Sequence, residues 1–493
     1  MKILNKIVSL SLTAVLIISA VSCSGASTSS SETSTAVTES ATEAETTSEI
    51  ADSLPETDLN GYTFTIGSDS GIAKNIVVEE NDGDVVNEAV YKANLAVEER
   101  FNADIKQIIY TVENDYGNQA MRSVKAGEDV YDIFCALDIL AAPWTLEGWF
   151  YDLYQVPNLD FTKPWWPANT VDALSVMGHM YMFSNWIDYT GMSWTRVLFF
   201  NGGMLDDLNL GRPYDSVKDG TWTIDSLIAM TKSSFADLNG NNEFDTTDRL
   251  GFTTRNGGDK NSWGYQFLLE SCGISAAAKD DKGVPYAVTD VDKLSEAVGK
   301  FSELFNVEGN KADIWTRGNE LFYDGNVMFV YGELGLIIDW GLRDVDFLYG
   351  VVPFPKLDEA QKGYISEFTA MPYMMPVTVP ESDLNADGII IEAMSAEGYR
   401  TVKDVYFETA LKQKYTYEDG SMEMLDIINS TRAMDFWYVY GDSNTYGQNI
   451  LWNTLDDLSV ASYMAKQAKV VDNKIKNLIK SVDKISGTDT ATQ

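Results

Sequence analysis

Tyr131-Asp132-Ile133-Phe134-Cys135-Ala136-Leu137 is an almost unbroken apolar run, the pattern of a strand buried on both faces of a parallel sheet. Upstream of it, Ala103 to Tyr110 predicts another strand. Before that, Val85 to Phe101 predicts a helix, with Val90, Leu95 and Val97 among its apolar positions and Glu98-Glu99-Arg100 near its end. Thr63-Phe64-Thr65-Ile66 predicts the first strand, and Gly67 to Gly71 a loop. The order is β-α-β-α-β. Downstream, Val197 to Asn201 and Val327 to Tyr331 predict further strands, and helical patterns cover Asp292 to Phe305 and Ile389 to Lys412. Strands alternating with helices imply an α/β fold whose ligand sites lie at the carboxyl ends of strands. Asp138, Glu333 and the loop Ser68 to Ser70 occupy such ends. The plain alternative for each is a solvated strand end.

The amino terminus sets the location. Lys2 and Lys6 precede an apolar run from Ile7 to Ala20, too short to span a bilayer and suited to a secretory signal. Ala20-Val21-Ser22-Cys23 resembles a bacterial lipobox, with Ala20 where Leu is usual. The expectation is a signal peptide over 1–22, lipidation at Cys23 and a place on the outer face of the cell membrane, against ordinary cleavage nearby. Residues 23–53 are rich in Ser, Thr and Glu and nearly devoid of apolar bulk, so they predict a flexible tether, with a glycosylated stalk as the alternative.

From residue 54 onward the body is larger than one core usually accommodates, so two lobes are expected. Its 36 Lys plus Arg stand against 74 Asp plus Glu, a formal charge of −38, which disfavours nucleic acid and anionic membrane surfaces. The simplest role of that charge is solubility. Beside Cys23 the chain has Cys135 and Cys272, enough for one disulfide and no framework. Its sole histidine, His179, sits in Gly178-His179-Met180 and reads as a turn residue, so histidine-based zinc sites and Ser/His or Cys/His catalysis have little to work with.

Asp237-Leu238-Asn239-Gly240-Asn241-Asn242-Glu243-Phe244-Asp245-Thr246-Thr247-Asp248 spaces hard oxygen donors as calcium loops do. Asp237, Asn239, Asn241, Asp245 and Asp248 supply side chains and Glu243 a carbonyl. Asn242 replaces the usual Gly, and Asp248 is shorter than the usual Glu. A structural calcium ion weaker than a cytosolic sensor's is expected, against a metal-free Asn/Gly turn. The tract Asp383-Leu384-Asn385-Ala386-Asp387-Gly388 starts similarly, but Met394 at the twelfth position makes it a helix cap instead.

Several segments together resemble the extracellular solute-binding lipoproteins of bacterial ABC importers, in their carbohydrate branch. Asn81 to Tyr91, running into Val97-Glu98-Glu99-Arg100-Phe101, looks like the first helix of that family, and Lys163-Pro164-Trp165-Trp166 like its interlobe segment. Leu198-Phe199-Phe200-Asn201, Leu208-Asn209-Leu210 and Gly220-Thr221-Trp222-Thr223 look like the opening of its second lobe. Phe322-Tyr323-Asp324-Gly325 and Gly350-Val351-Val352-Pro353-Phe354-Pro355-Lys356 resemble its return to the first lobe. Gly202 departs from the Lys often found after Asn201. The resemblance implies a two-lobed, periplasmic-binding-protein-like fold with an interlobe ligand cleft. Lobe 1 would take about 54–180 and 318–375, and lobe 2 about 190–315 and 380–485. It also implies a monomer that passes a carbohydrate to permease subunits.

Twelve Trp and 25 Tyr suit sugars, because flat rings cover the apolar C–H faces while carboxylates and amides bind hydroxyls. The expected contacts are Trp186, Asp188 and Trp194 at the implied crossing between lobes, with Asp138 and Glu333 at strand ends and Trp144, Trp263 and Tyr373 as further candidates. Core packing is the alternative for any one aromatic. A non-enzymatic receptor is the favoured function. A secreted glycoside hydrolase would also want acids and aromatics in a cleft, and a calcium-dependent adhesin would use the Asp237 to Asp248 loop.

Overall fold

The computed structural model describes residues 50–79, 83–242, 245–254, 265, 267–310, 318–338, 341–414, 418, 420–441 and 446–487. Cys23, Glu243 and Trp263 fall outside them. The chain divides into two units, Met1–Ala51 and Asp52–Gln493, and the second carries every element below. No described helix is long and apolar enough to cross a membrane.

The first sheet contains β1 (Tyr62–Ser68), β2 (Ala103–Ile109) and β3 (Ile133–Cys135). β1 lies between the other two and runs parallel to both, Tyr62 opposite Ala103 and Ile66 opposite Ile133. Phe64, Ile66, Ile133 and Phe134 are fully buried, as the apolar runs require. The helix Val85–Phe101 has the predicted bounds: Asp84 caps its start by accepting from Val86 N and Asn87 N, and left-handed Asn102 ends it.

The second sheet contains β4 (Arg196–Asn201), β5 (Leu250–Thr254), β6 (Val327–Glu333) and β7 (Tyr349–Val352), in the order β7-β4-β6-β5. β4 is antiparallel to β6 and β7, whereas β5 is parallel to β6. The register sets Arg196 opposite Glu333, so the start of β4 and the end of β6 share one edge.

This pairing corrects the expected division of the chain. Residues 327–352 were expected in the first lobe, but β6 and β7 hydrogen-bond with β4 and belong to the second sheet. The chain rejoins the first sheet only at β8 (Tyr373–Met374), which pairs with β3. The helix Leu384–Glu397, expected with the second lobe, packs on the helix Val85–Phe101 and on β1. Its continuation widens into π-helical turns over Gly398–Val402 and Val405–Lys414. A Cβ at Gly398 would fall 1.8 Å from the carbonyl oxygen of Trp186, so glycine permits that approach.

Three smaller expectations also resolve. Cys135 and Cys272 are both free and buried. His179 begins the two-residue strand His179–Met180, with Nδ1 2.8 Å from Asp152 Oδ2. Leu384 does begin a helix, but the Asp383 side chain makes no capping bond and accepts from Ser382.

Candidate functional site

A groove of about 1180 Å3, open to solvent, runs between the strand ends of the two sheets. Ser70, Gly71 and Lys74 follow β1, Asn87 comes from the first long helix, and Ile338 and Arg343 follow β6. Asn75 and Asp84 also line it, with Tyr189, Ser193 and Trp194 on the segment crossing between the sheets. Trp194 is half-buried, which leaves part of its indole for an apolar ligand face. Asn75 Nδ2 donates to Thr190 Oγ1 at 3.1 Å and ties the loop after β1 to the crossing segment. Of the expected Ser68 to Ser70 loop, Ser70 lines the same groove as Trp194.

Trp186, Asp188 and Tyr373 lie elsewhere. Trp186 is 7% exposed, with its indole edge-on to Tyr399 at a centroid distance of 6.4 Å. Asp188 accepts from the Tyr373 hydroxyl and from Thr190 N at 2.6 Å, and burial pushes its carboxyl up to about 6. Trp186 and Asp188 border a separate pocket of about 270 Å3 with Phe368 and Arg432. Arg432 lies 4.3 Å over the Phe368 ring and donates to Thr195 Oγ1 at 3.0 Å. The polar neighbours that suggested a ligand platform at Trp186 are satisfied by the protein itself. Trp144 is half-buried against the main core.

Behind the groove wall, Asp138 and Glu333 join a buried polar enclave between the sheets. Glu333 pairs with Arg196, whose guanidinium sits 4.5 Å over the Phe267 ring. Arg196 also donates to the carbonyl of Trp194 at 3.4 Å, which links the enclave to the groove. Asp138 is fully buried, and its Oδ1 accepts from Ile139 N at 2.7 Å and from Tyr438 OH at 3.2 Å. Burial pushes this carboxyl up to about 7, against the hydrogen bonds and the pull of Arg196. Glu270 and Glu367 are driven well above the usual carboxylate range by burial, reinforced by the nearby Asp435.

Glu270, Glu367, Tyr331, Asp435 and Tyr438 were not foreseen, since separate elements bring them together. Arg196 was open to detection, because a cation directly before the apolar run Val197 to Phe200 calls for a partner.

The Asp237 loop forms a compact turn. Asp237 accepts from Gly240 N at 2.7 Å and Asn242 N at 2.8 Å, and Asn242 takes a φ of 58°. The side-chain amides of Asn239 and Asn241 each donate to Asp245 Oδ2 at 2.8 Å, and Asp248 accepts from Leu238 N and Asp245 N. These bonds hold the Asp245 carboxyl well below its ordinary value, those from Thr247 most strongly. Among the described residues no three His, Cys, Asp or Glu side chains form a metal centre.

No family model matches the chain, and no curated protein matches it. Solved structures do. An ABC transporter solute-binding protein from Thermotoga lettingae, bound with α-D-tagatose, is 15% identical over 84% of this chain and 100% of its own, with a TM-score of 0.53. The cyclic α-maltosyl-1,6-maltose binding protein of Arthrobacter globiformis is 13% identical over 86% of this chain and 99% of its own, with a TM-score of 0.53. Apo RafE from Streptococcus pneumoniae is 13% identical over 86% and 98%, with a TM-score of 0.52. At such identities the likeness establishes the fold: α/β, two-lobed and of the solute-binding-protein kind.

Proposed function

We propose that this protein captures a carbohydrate in the groove between its two sheets and delivers it to an ABC importer, without chemical change to the ligand. The observation that carries this reading is the groove itself. Residues after β1 and after β6 line it, and Trp194 on the crossing segment, half-buried, adds an aromatic ring. Lys74, Asn87 and Arg343 add polar groups suited to hydroxyls. The two structures solved with or named for a sugar, described above, share the fold and support carbohydrate as the ligand class. Delivery from the outer face of the membrane rests on Cys23 in its lipobox-like setting.

A calcium ion in the Asp237 loop would be structural. The Asn239 and Asn241 amides already converge on Asp245. Rotating each amide by half a turn would present its oxygen, so the donor set fits a hard cation.

Thermal-shift screening of a glycan panel tests the function, because a ligand bound only by the folded state stabilises it by ~2.7 kcal/mol at a hundredfold excess over Kd. A melting temperature raised by one glycan class, with that glycan recovered intact, is expected. Cleavage products would point to a hydrolase, and no shift with any glycan would remove the reading.

A further inference from the structure

Arg432 is a cation that no carboxylate of the described residues answers. It begins the two-residue strand Arg432–Ala433, which pairs with Ser366–Glu367, and it is half-buried. Its Nε donates to Thr195 Oγ1 at 3.0 Å, and its guanidinium lies 4.3 Å over the Phe368 ring. Among the described residues its side chain makes no ion pair and no further hydrogen bond, so the N–H donors of Nη1 and Nη2 are uncommitted. Burial pushes the group down to about 10, with only the Tyr406 phenol pulling the other way. A cation drawn out of water in this way is at its most favourable when an anion meets it.

The pocket of about 270 Å3 that Arg432 lines is shaped around that group. A Cβ at Gly191 would fall 3.2 Å from the Phe368 ring and 3.4 Å from Arg432 Nη2, so glycine lets the crossing segment come close to both. Ser184 brings to the lining a hydroxyl that has no hydrogen-bond partner among the described residues. Trp186 and Phe368 add apolar surface. Asp188 is the acid of the lining, and its carboxyl is taken up by the Tyr373 hydroxyl and by Thr190 N. The paired N–H groups of a guanidinium match the two oxygens of a carboxylate, and its single charge balances a single negative one. A phosphate dianion would exceed that charge and would meet Asp188 as a repelling neighbour.

We propose that this pocket is a second binding site, separate from the groove, for a small monocarboxylate held on Nη1 and Nη2 of Arg432, with Ser184 donating a further hydrogen bond. The crossing segment serves both sites: Tyr189, Ser193 and Trp194 line the groove, and Gly191 and Met192 line the pocket. The proposal does not rest on the carbohydrate reading. The carboxylate has two sources, a free short acid or a uronic acid, and the chemistry of recognition is the same for each.

The test is calorimetric titration of the whole mature protein, at fixed pH and ionic strength, with acetate, propionate, lactate, pyruvate, galacturonate and glucuronate, each beside its own amide, and with chloride, sulfate and phosphate. At least one acid should bind about tenfold tighter or more than its amide. Arg432→Gln, which removes the charge, and Arg432→Lys, which keeps the charge and removes the fork, should each erase that preference. Ser184→Ala should weaken the acid severalfold with the unliganded melting temperature unchanged, and it keeps the test open if neither Arg432 variant folds. Tightest binding by a short acid supports the site and a free source, and tightest binding by a uronate supports the site and a sugar-borne source. Acids that bind no better than their amides, or a preference that survives the Arg432 and Ser184 substitutions, overturn the proposal. Chloride, sulfate or phosphate bound as tightly as every acid would mark Arg432 as a hydrated cation open to any anion, and would overturn it too.

Discussion

Trp166 donates its indole N–H to Glu392 Oε2 at 2.8 Å, and Trp165 donates to Oε1 of the same carboxyl at 2.8 Å. The segment Lys163 to Trp166 is thereby fastened to the helix Leu384–Glu397, far away in sequence. Glu392 is fully buried, and desolvation, opposed by the two indoles, pushes its carboxyl up to about 7. Asp138 is raised similarly.

Stability should therefore depend on pH. A carboxyl raised in the folded state binds its proton more tightly there than in the unfolded chain, so its contribution is complete below about pH 4 and is lost as pH rises through about 7. Urea unfolding at pH 5 and pH 8 should give a lower free energy at pH 8, by about 2 kcal/mol for each of these two carboxyls. Glu392→Gln should flatten part of that slope. It should also cost about 1–3 kcal/mol near neutrality, since an amide NH2 would face an indole N–H. Equal stability at both pH values, with Glu392→Gln neutral, would contradict the account.

Trp186→Ala should unfold the protein more readily, by about 3–5 kcal/mol, because it empties a site packed against Tyr399. Denaturant midpoints check this. A variant with unchanged stability would return Trp186 to the list of open ligand contacts.

The main strands and the first long helix were legible in the sequence because each is signalled by its own residues: Asp84 caps the helix, and the runs at Ile133 and Val197 are buried on both faces. The placing of β6 and β7 was hidden. An apolar strand such as Val327 to Tyr331 fits either sheet, and its partner is chosen by long-range pairing with β4. The site divides in the same way. Asp138 and Glu333 were singled out by their places at strand ends, and Trp194 by the implied crossing between lobes. Trp186 misled because its polar neighbour Asp188 is satisfied by Tyr373, a residue 185 positions away that no local pattern reveals.

Calcium should raise the melting temperature, and Asp237→Ala with Asp245→Ala should abolish the rise while unfolding stays cooperative, because a metal held only by the folded loop adds its binding free energy to stability. Scanning calorimetry with calcium and with chelator checks this. A wild-type protein indifferent to chelator would leave the loop a hydrogen-bonded turn.

Cys23→Ser should leave export intact and release the protein from membranes, since acyl chains at that cysteine would be its hold. Fractionation of expressing cells gives the answer. A variant retained in the membrane fraction would remove the anchor.

The most direct test of carbohydrate capture is calorimetric titration of the best glycan from the panel into the wild-type protein and into Trp194→Ala. Trp194 borders the groove and is half-buried, so truncation should remove a ligand contact with little loss of fold. The account predicts saturable one-to-one binding by the wild type, weakened by ~2 kcal/mol, about thirtyfold, in the variant, with similar unliganded melting temperatures. Equal affinity for both proteins would place the ligand outside this groove and contradict the account.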